Sequence, residues 1–153
     1  MSDGGSTTRG TAGAVEPSAA PGVSAPHGVR GLVVAHGSMA DGLIDAVRRI
    51  AGGVADALVP ISNEGRSPQQ LKASIQELAR EGPVVVFADL LSGSCGMAAF
   101  AGCREADQGA VVCGVNLPVL LDFVFHRDLP MEELVPRLVE KGRDGIRALP
   151  RVG

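Results

Sequence analysis

The chain has no Trp and no Tyr, and its only aromatics are four Phe in 153 residues. It also lacks any block of Lys or Arg: 14 basic residues stand against 17 acidic ones, for a net charge of −3. With neither a stacking platform nor a basic patch, nucleic acid is not expected as the main partner. Long apolar runs are missing too. Nothing approaches the roughly 20 consecutive apolar residues that a bilayer span requires. The N-terminus shows no basic start followed by an apolar run of about 7–15 residues, so it does not read as a secretory signal. Cysteine is scarce. Cys95, Cys103 and Cys113 are odd in number and fit neither a disulfide framework nor a zinc spacing. Reduced thiols in the cytoplasm are the expectation, with no metal site. There is no G-x-G-x-x-G and no G-x-x-x-x-G-K-[ST], so neither a dinucleotide fold nor a P-loop is expected, and no cofactor.

What is present is unevenly distributed. Gly, Ser, Ala, Pro and Thr fill 21 of the first 28 positions. A segment so poor in apolar bulk cannot offset its chain entropy, and residues 1–28 are expected to be a disordered tail. The folded domain is then 29–153, long enough for one real core.

From Val29 onward, short apolar runs alternate with helical periodicity. Gly31–Ala35, Ala57–Pro60, Pro83–Ala88 and Ala110–Val115 read as strands. Met39–Ala51 reads as a helix with Leu43, Val47 and Ile50 on its buried face. Ser67-Pro68-Gln69-Gln70 reads as a helix start, with Ser67 as cap, Pro68 in the first turn and Gln70 closing a capping box. Leu71, Ile75 and Leu78 supply that helix's apolar stripe. Further helices are expected over Gly96–Ala106, Pro118–Phe125 and Met131–Leu149. Strands apolar on both faces and separated by helices imply an α/β fold: a doubly wound, mainly parallel sheet of at least four strands covered on both sides. The expected order is 2-1-3-4, with room for a further antiparallel edge strand.

In such a sheet ligands bind at the carboxyl ends of the strands, where the order reverses between strands 1 and 3. His36 follows strand 1, Asp89 follows strand 3 and Asn116 follows strand 4. His36 and Asp89 should meet in space. The small segments His36-Gly37-Ser38 and Ser92-Gly93-Ser94-Cys95-Gly96 open into helices, where backbone N–H groups favour an anion. An imidazole, a carboxylate to orient it and an anion cradle point to phosphoryl chemistry on His36. If Asp89 holds one ring N–H, the other nitrogen has an exposed lone pair for in-line attack. Ser94 and the amides from Gly93 onward can bind the phosphoryl group. Asn116 reads as the cap of the helix after strand 4. Cys95, at a helix start, has a position that can lower a thiol's pKa, although filling a tight loop is the simpler role. His27 and His126 have no carboxylate partner readable in the sequence.

Leu32-Val-Val-Ala-His36-Gly37, the Ala88-Asp89-x4-Ser94 loop and Gly114-Val-Asn-Leu-Pro118 together resemble the mannose-type IIA component of the bacterial sugar phosphotransferase system. The resemblance runs from about Arg30 to Leu149. It implies a histidine phosphocarrier, with His36 as the active histidine, Asp89 as its supporting acid and Ser94 as the phosphate contact. HPr would be the phosphoryl donor, and a IIB protein working with IIC and IID membrane components the acceptor. The resemblance also implies a homodimer that exchanges an edge strand. Arg147–Val152 is the stretch available for that strand, and Pro150 makes it a poor one. Three departures stand out: Ser38 where the family often has a bulky residue, Cys95 where it often has Pro, and Pro136 inside the last helix. An alternative reading is a regulatory module whose docking depends on phosphorylation of His36, without sugar transport. The lack of a IIB domain before Gly153 is the feature that favours it.

Overall fold

The computed structural model describes residues 28–104, 106 and 108–150. The tail expected over residues 1–28 therefore falls, except for Gly28, outside the described residues.

Four strands form one parallel sheet: β1 (Arg30–Ala35), β2 (Leu58–Ser62), β3 (Val84–Ala88) and β4 (Gly109–Cys113). Their order is β2-β1-β3-β4, as the apolar pattern predicts. Five α-helices follow in sequence: α1 (Met39–Ala51), α2 (Pro68–Ala79), α3 (Ser94–Cys103), α4 (Leu117–His126) and α5 (Met131–Asp144). A short 3-10 helix, Gly52–Ala57, leads from α1 into β2.

Because strand side chains alternate between faces, the central strands divide into two cores. Val33, Ala35, Val85 and Phe87 pack against α1, α4 and α5, where Phe87 meets Phe123 edge-on with ring centroids 5.2 Å apart. Leu32, Val34, Val84, Val86 and Ala88 pack against α2 and α3. β1 and β3 are buried almost throughout, which is why they read as continuous apolar runs. β2 lies at an edge, where Pro60 can be tolerated without a ladder donor, and it runs on to Ser62. The start of α2 follows its sequence closely. Ser67 Oγ accepts from Gln70 N, and Gln70 Oε1 accepts from Ser67 N.

The structure corrects several boundaries and one helix face. In α1 the buried residues are Ala40, Ile44 and Val47; Leu43 is half-buried and Ile50 is exposed. Leu43 and Ile44 are adjacent and both apolar, so periodicity leaves two phases open, and docking on the sheet selects one. α3 begins at Ser94, two residues before the expected start, and ends at Cys103. α5 stops at Asp144 rather than Leu149. Gly145 follows it and lies so close to Pro118 that an added Cβ would come within 2.7 Å of that ring. Pro136 lies within α5 and, lacking an N–H, cannot bond back to the Glu132 carbonyl. There is no fifth strand among the described residues. Arg147–Pro150 is irregular, and the rest of the expected edge strand lies outside them.

Candidate functional site

Both central strands end at the switch point, and the chain places a polar side chain one residue beyond each. His36 follows Ala35 and Asp89 follows Ala88. β1 and β3 are paired with Val34 opposite Ala88, so His36 and Asp89 emerge side by side although 53 residues separate them. Asp89 N donates to Val34 O, which carries the pairing one residue past β3.

The Asp89 carboxylate is heavily engaged. Oδ2 lies 2.8 Å from His36 Nδ1 and accepts from the His36 backbone N–H at 2.9 Å. Oδ1 accepts from Leu90 N at 2.9 Å. The carboxylate is nearly buried, with 8% of its side chain exposed, whereas 46% of the imidazole is exposed. Burial alone pushes the Asp89 carboxyl up. The hydrogen bonds from the His36 ring, the His36 backbone and Leu90, together with the attraction of the ring, outweigh burial and hold it below the ordinary carboxylate value. An ionised carboxylate only accepts, so Nδ1 carries the proton of the pair, and in the neutral ring Nε2 keeps its lone pair.

The turn carrying His36 is braced from β2, which the sequence reading missed. Ser62 Oγ donates to Gly37 O at 2.8 Å, and Asn63 Oδ1 accepts from Gly37 N at 3.2 Å. The available signal was positional: Ser62 and Asn63 stand at the carboxyl end of the strand beside β1.

The Ser92-Gly93-Ser94 loop approaches from the other side. Gly93 has φ +98°, a left-handed conformation that suits Gly. Gly96, in the first turn of α3, packs directly on the chain: an added Cβ would fall 2.5 Å from Leu91 O and 2.7 Å from Leu90 O. The first amides of α3 have no acceptor within the helix, and the helix start lies near the imidazole, with Cys95 Sγ 3.7 Å from His36 Nδ1. Cys95 is fully buried. Burial and the nearby Asp89 charge raise its thiol's pKa, and a hydrogen bond with Ser94 only partly offsets them, so the helix start does not produce a low-pKa thiol here. A side-chain donor set the sequence did not reveal is also present: His36, Asp89 and Cys95 offer a nitrogen, an oxygen and a sulfur within 4.8 Å of one another.

The remaining candidates are structural. Asn116 caps α4 through Val119 N, as its position predicts, and its amide also donates to Gly142 O in α5. His126 does have a carboxylate neighbour, one turn back on α4: its Nδ1 is 3.3 Å from Asp122 Oδ1. This corrects the expectation that His126 lacks a carboxylate partner, and the signal for it was the i,i+4 spacing on one helix. Asp122 also holds Arg137 of α5 through two bonds of 2.8 and 2.9 Å. His27 lies outside the described residues.

A parallel four-stranded sheet with a carboxylate-supported histidine at its switch point defines a class of α/β domain that presents one imidazole to solvent. Comparison with known proteins gives the family. The profile of the family described as PTS system fructose IIA component, EIIA-man, matches residues 31–139, and the chain belongs to that family. The chain is 27% identical over 124 residues to the PTS system mannose-specific EIIAB component of Escherichia coli K12. The match takes in 77% of this chain and 38% of that protein, so the chain spans well under half the length of this relative. Among solved structures, the phosphotransferase system component EIIA from Streptococcus agalactiae superposes with a TM-score of 0.73 at 25% identity, covering 78% of this chain and 96% of that one. The mannose/sorbose specific IIA subunit from Enterococcus faecalis shares the fold, with a TM-score of 0.71 at 24% identity, covering 82% and 99%. No helix among the described residues is long and apolar enough to cross a membrane.

Proposed function

We propose that the chain is a phosphoryl carrier of the sugar phosphotransferase system, taking phosphate from phospho-HPr on His36 and passing it to a IIB protein for carbohydrate uptake through IIC and IID components. The observation that carries this reading is the 2.8 Å contact between His36 Nδ1 and Asp89 Oδ2, with the ring half exposed. Nε2 attacks the phosphorus in line. The N–P bond on His36 forms as the N–P bond on the donor histidine breaks, and the donor ring recovers its lone pair. Asp89 stabilises the positive charge that the ring gains. Gly93 and Ser94 supply donors to the phosphoryl oxygens, so that catalysis is mostly positioning and charge stabilisation. The reaction runs again in the other direction toward IIB.

A protein partner suits the surroundings. Leu90, Leu91 and Met97 are exposed on the loop and helix beside the imidazole, an apolar rim of the kind that partner proteins cover. The same proposal places the protein in the cytoplasm, where its three free cysteines stay reduced. It includes a homodimer, and a folded unit of residues 29–153 that works without the tail.

The test is incubation of the purified protein with phosphoenolpyruvate, enzyme I and HPr. An acid-labile, alkali-stable adduct on His36 is expected, absent from His36→Ala and retained when residues 1–28 are deleted. Labelling of His36→Ala at the normal rate overturns the assignment.

A further inference from the structure

Phosphoryl transfer uses His36 and Asp89 but leaves Cys95 without a role, although its sulfur is 3.7 Å from Nδ1. We propose that His36 Nδ1, Asp89 Oδ2 and Cys95 Sγ form a binding site for a thiophilic divalent cation of the zinc class, and that this cation and the phosphoryl group exclude each other on His36. The exclusion rests on the phosphocarrier reading; the metal site does not.

The donor set fits such an ion. Imidazole, thiolate and carboxylate suit zinc, whereas magnesium and calcium require mainly oxygen. Zinc bonds of about 2.0–2.3 Å in a tetrahedron put neighbouring donors roughly 3.3–3.7 Å apart. The Sγ–Nδ1 separation already lies at the upper end of that range, and the three residues bring one ring nitrogen, one carboxylate oxygen and the sulfur within 4.8 Å of one another. Nδ1 and Oδ2, now 2.8 Å apart, must open by about 0.5 Å to reach it. The imidazole is half exposed and can turn by that amount. Three protein ligands leave the fourth position to water.

The exclusion follows from proton placement. A metal on Nδ1 takes that nitrogen's lone pair, so the proton of the neutral ring moves to Nε2, the atom that must attack phosphorus. The Cys95 thiol proton is released to solvent as the Zn–S bond forms. With phosphate on Nε2 instead, Nδ1 keeps its proton toward Asp89 and has no lone pair for a metal.

The experiment is titration of the reduced, chelator-washed full chain with Co2+, a spectroscopic stand-in for zinc. A near-ultraviolet thiolate-to-cobalt charge-transfer band is expected, saturating at about one ion per chain and displaced by Zn2+. Cys95→Ala should lose the band and bind Zn2+ more weakly by at least the roughly 10-fold that losing an outer-shell partner costs, whereas Cys113→Ala keeps both. His36→Ala, at an exposed position, should lose the band without disturbing the core. No band in the wild type, or a band that survives in Cys95→Ala, overturns the site. Chain phosphorylated beforehand by isolated phospho-HPr should give no band. Zinc-loaded chain should accept phosphate more slowly than metal-free chain in proportion to the fraction of sites occupied, and equal rates overturn the exclusion. A band on a metal-free preparation that never accepts phosphate leaves the metal site standing and sinks the phosphocarrier reading.

Discussion

One oxygen of Asp89 holds His36 twice: Oδ2 accepts from the ring Nδ1 at 2.8 Å and from the backbone N–H of the same residue at 2.9 Å. The carboxylate thus fixes both the position of the residue and the tautomer of its ring, and the two effects separate experimentally. Asp89→Asn keeps an acceptor oxygen but loses the charge. Phosphorylation of His36 should slow by roughly 100-fold, with circular dichroism unchanged. Unchanged transfer kinetics would remove Asp89 from the site.

The same carboxylate links stability to pH. Its pKa in the fold lies below its ordinary value, so its contribution is complete above about pH 4 and drains away as pH falls through the lower folded value. Urea midpoints of wild type and Asp89→Asn should differ by the equivalent of about 1–3 kcal/mol at neutral pH and converge in acid. A gap that widens in acid would contradict the sign.

Ser62 and Asn63 hold the turn after His36 through Gly37 O and Gly37 N. Removing either side chain should cost about 1 kcal/mol. A positioning role predicts more: Ser62→Ala and Asn63→Ala should each lower the transfer rate from phospho-HPr at temperatures where the variant is fully folded. A loss of stability alone would mark them as ordinary loop residues.

Two glycines give opposite expectations. At Gly96 a Cβ meets backbone carbonyls at 2.5 and 2.7 Å, which cannot move aside cheaply. Gly96→Ala should destabilise by about 1–3 kcal/mol and impair phosphorylation by shifting the Leu90–Leu91 segment. At Gly142, inside α5, the nearest atom would be Val119 Cβ at an ordinary 3.5 Å. Gly142→Ala should raise stability by up to about 1 kcal/mol through helix propensity. Thermal denaturation of the pair decides both.

The clamp between α4 and α5 supplies a test of independence from the site. Asp122 takes two bonds from Arg137 and lies on helices covering the face opposite α3. Arg137→Ala should lower the urea midpoint and leave His36 phosphorylation of the folded protein unaltered. Loss of transfer without loss of stability would tie the clamp to function.

Much of this was legible in the chain itself. Apolar runs such as Leu32–Ala35 and Val84–Ala88 are short, unbroken and bounded by small or polar residues, which dictates buried parallel strands and hence a switch point between them. The capping box at Ser67 and the Asn116 cap are local chemistry, complete within four residues. Strand ends placed His36 and Asp89 on one edge, and the residues flanking them carried the family resemblance that the profile match bears out.

What only the tertiary structure decided depends on contacts between distant segments. The phase of α1 turned on whether Leu43 or Ile44 met the sheet, and periodicity treats adjacent apolar residues alike. The brace from Ser62 and Asn63 needs the pairing of β2 with β1, and the close approach of Gly145, one residue past α5, to Pro118 likewise joins segments far apart in the chain. Cys95 shows the difference most directly. By sequence it is one of three scattered cysteines, with nothing nearby that reads as a metal ligand. The sheet brings residues 36 and 89 to one point, and α3 delivers a buried sulfur to the same imidazole. Local pattern dictates which elements form, because it acts within a few bonds. Which side chains converge on one ring nitrogen is settled by packing, which acts across the whole fold.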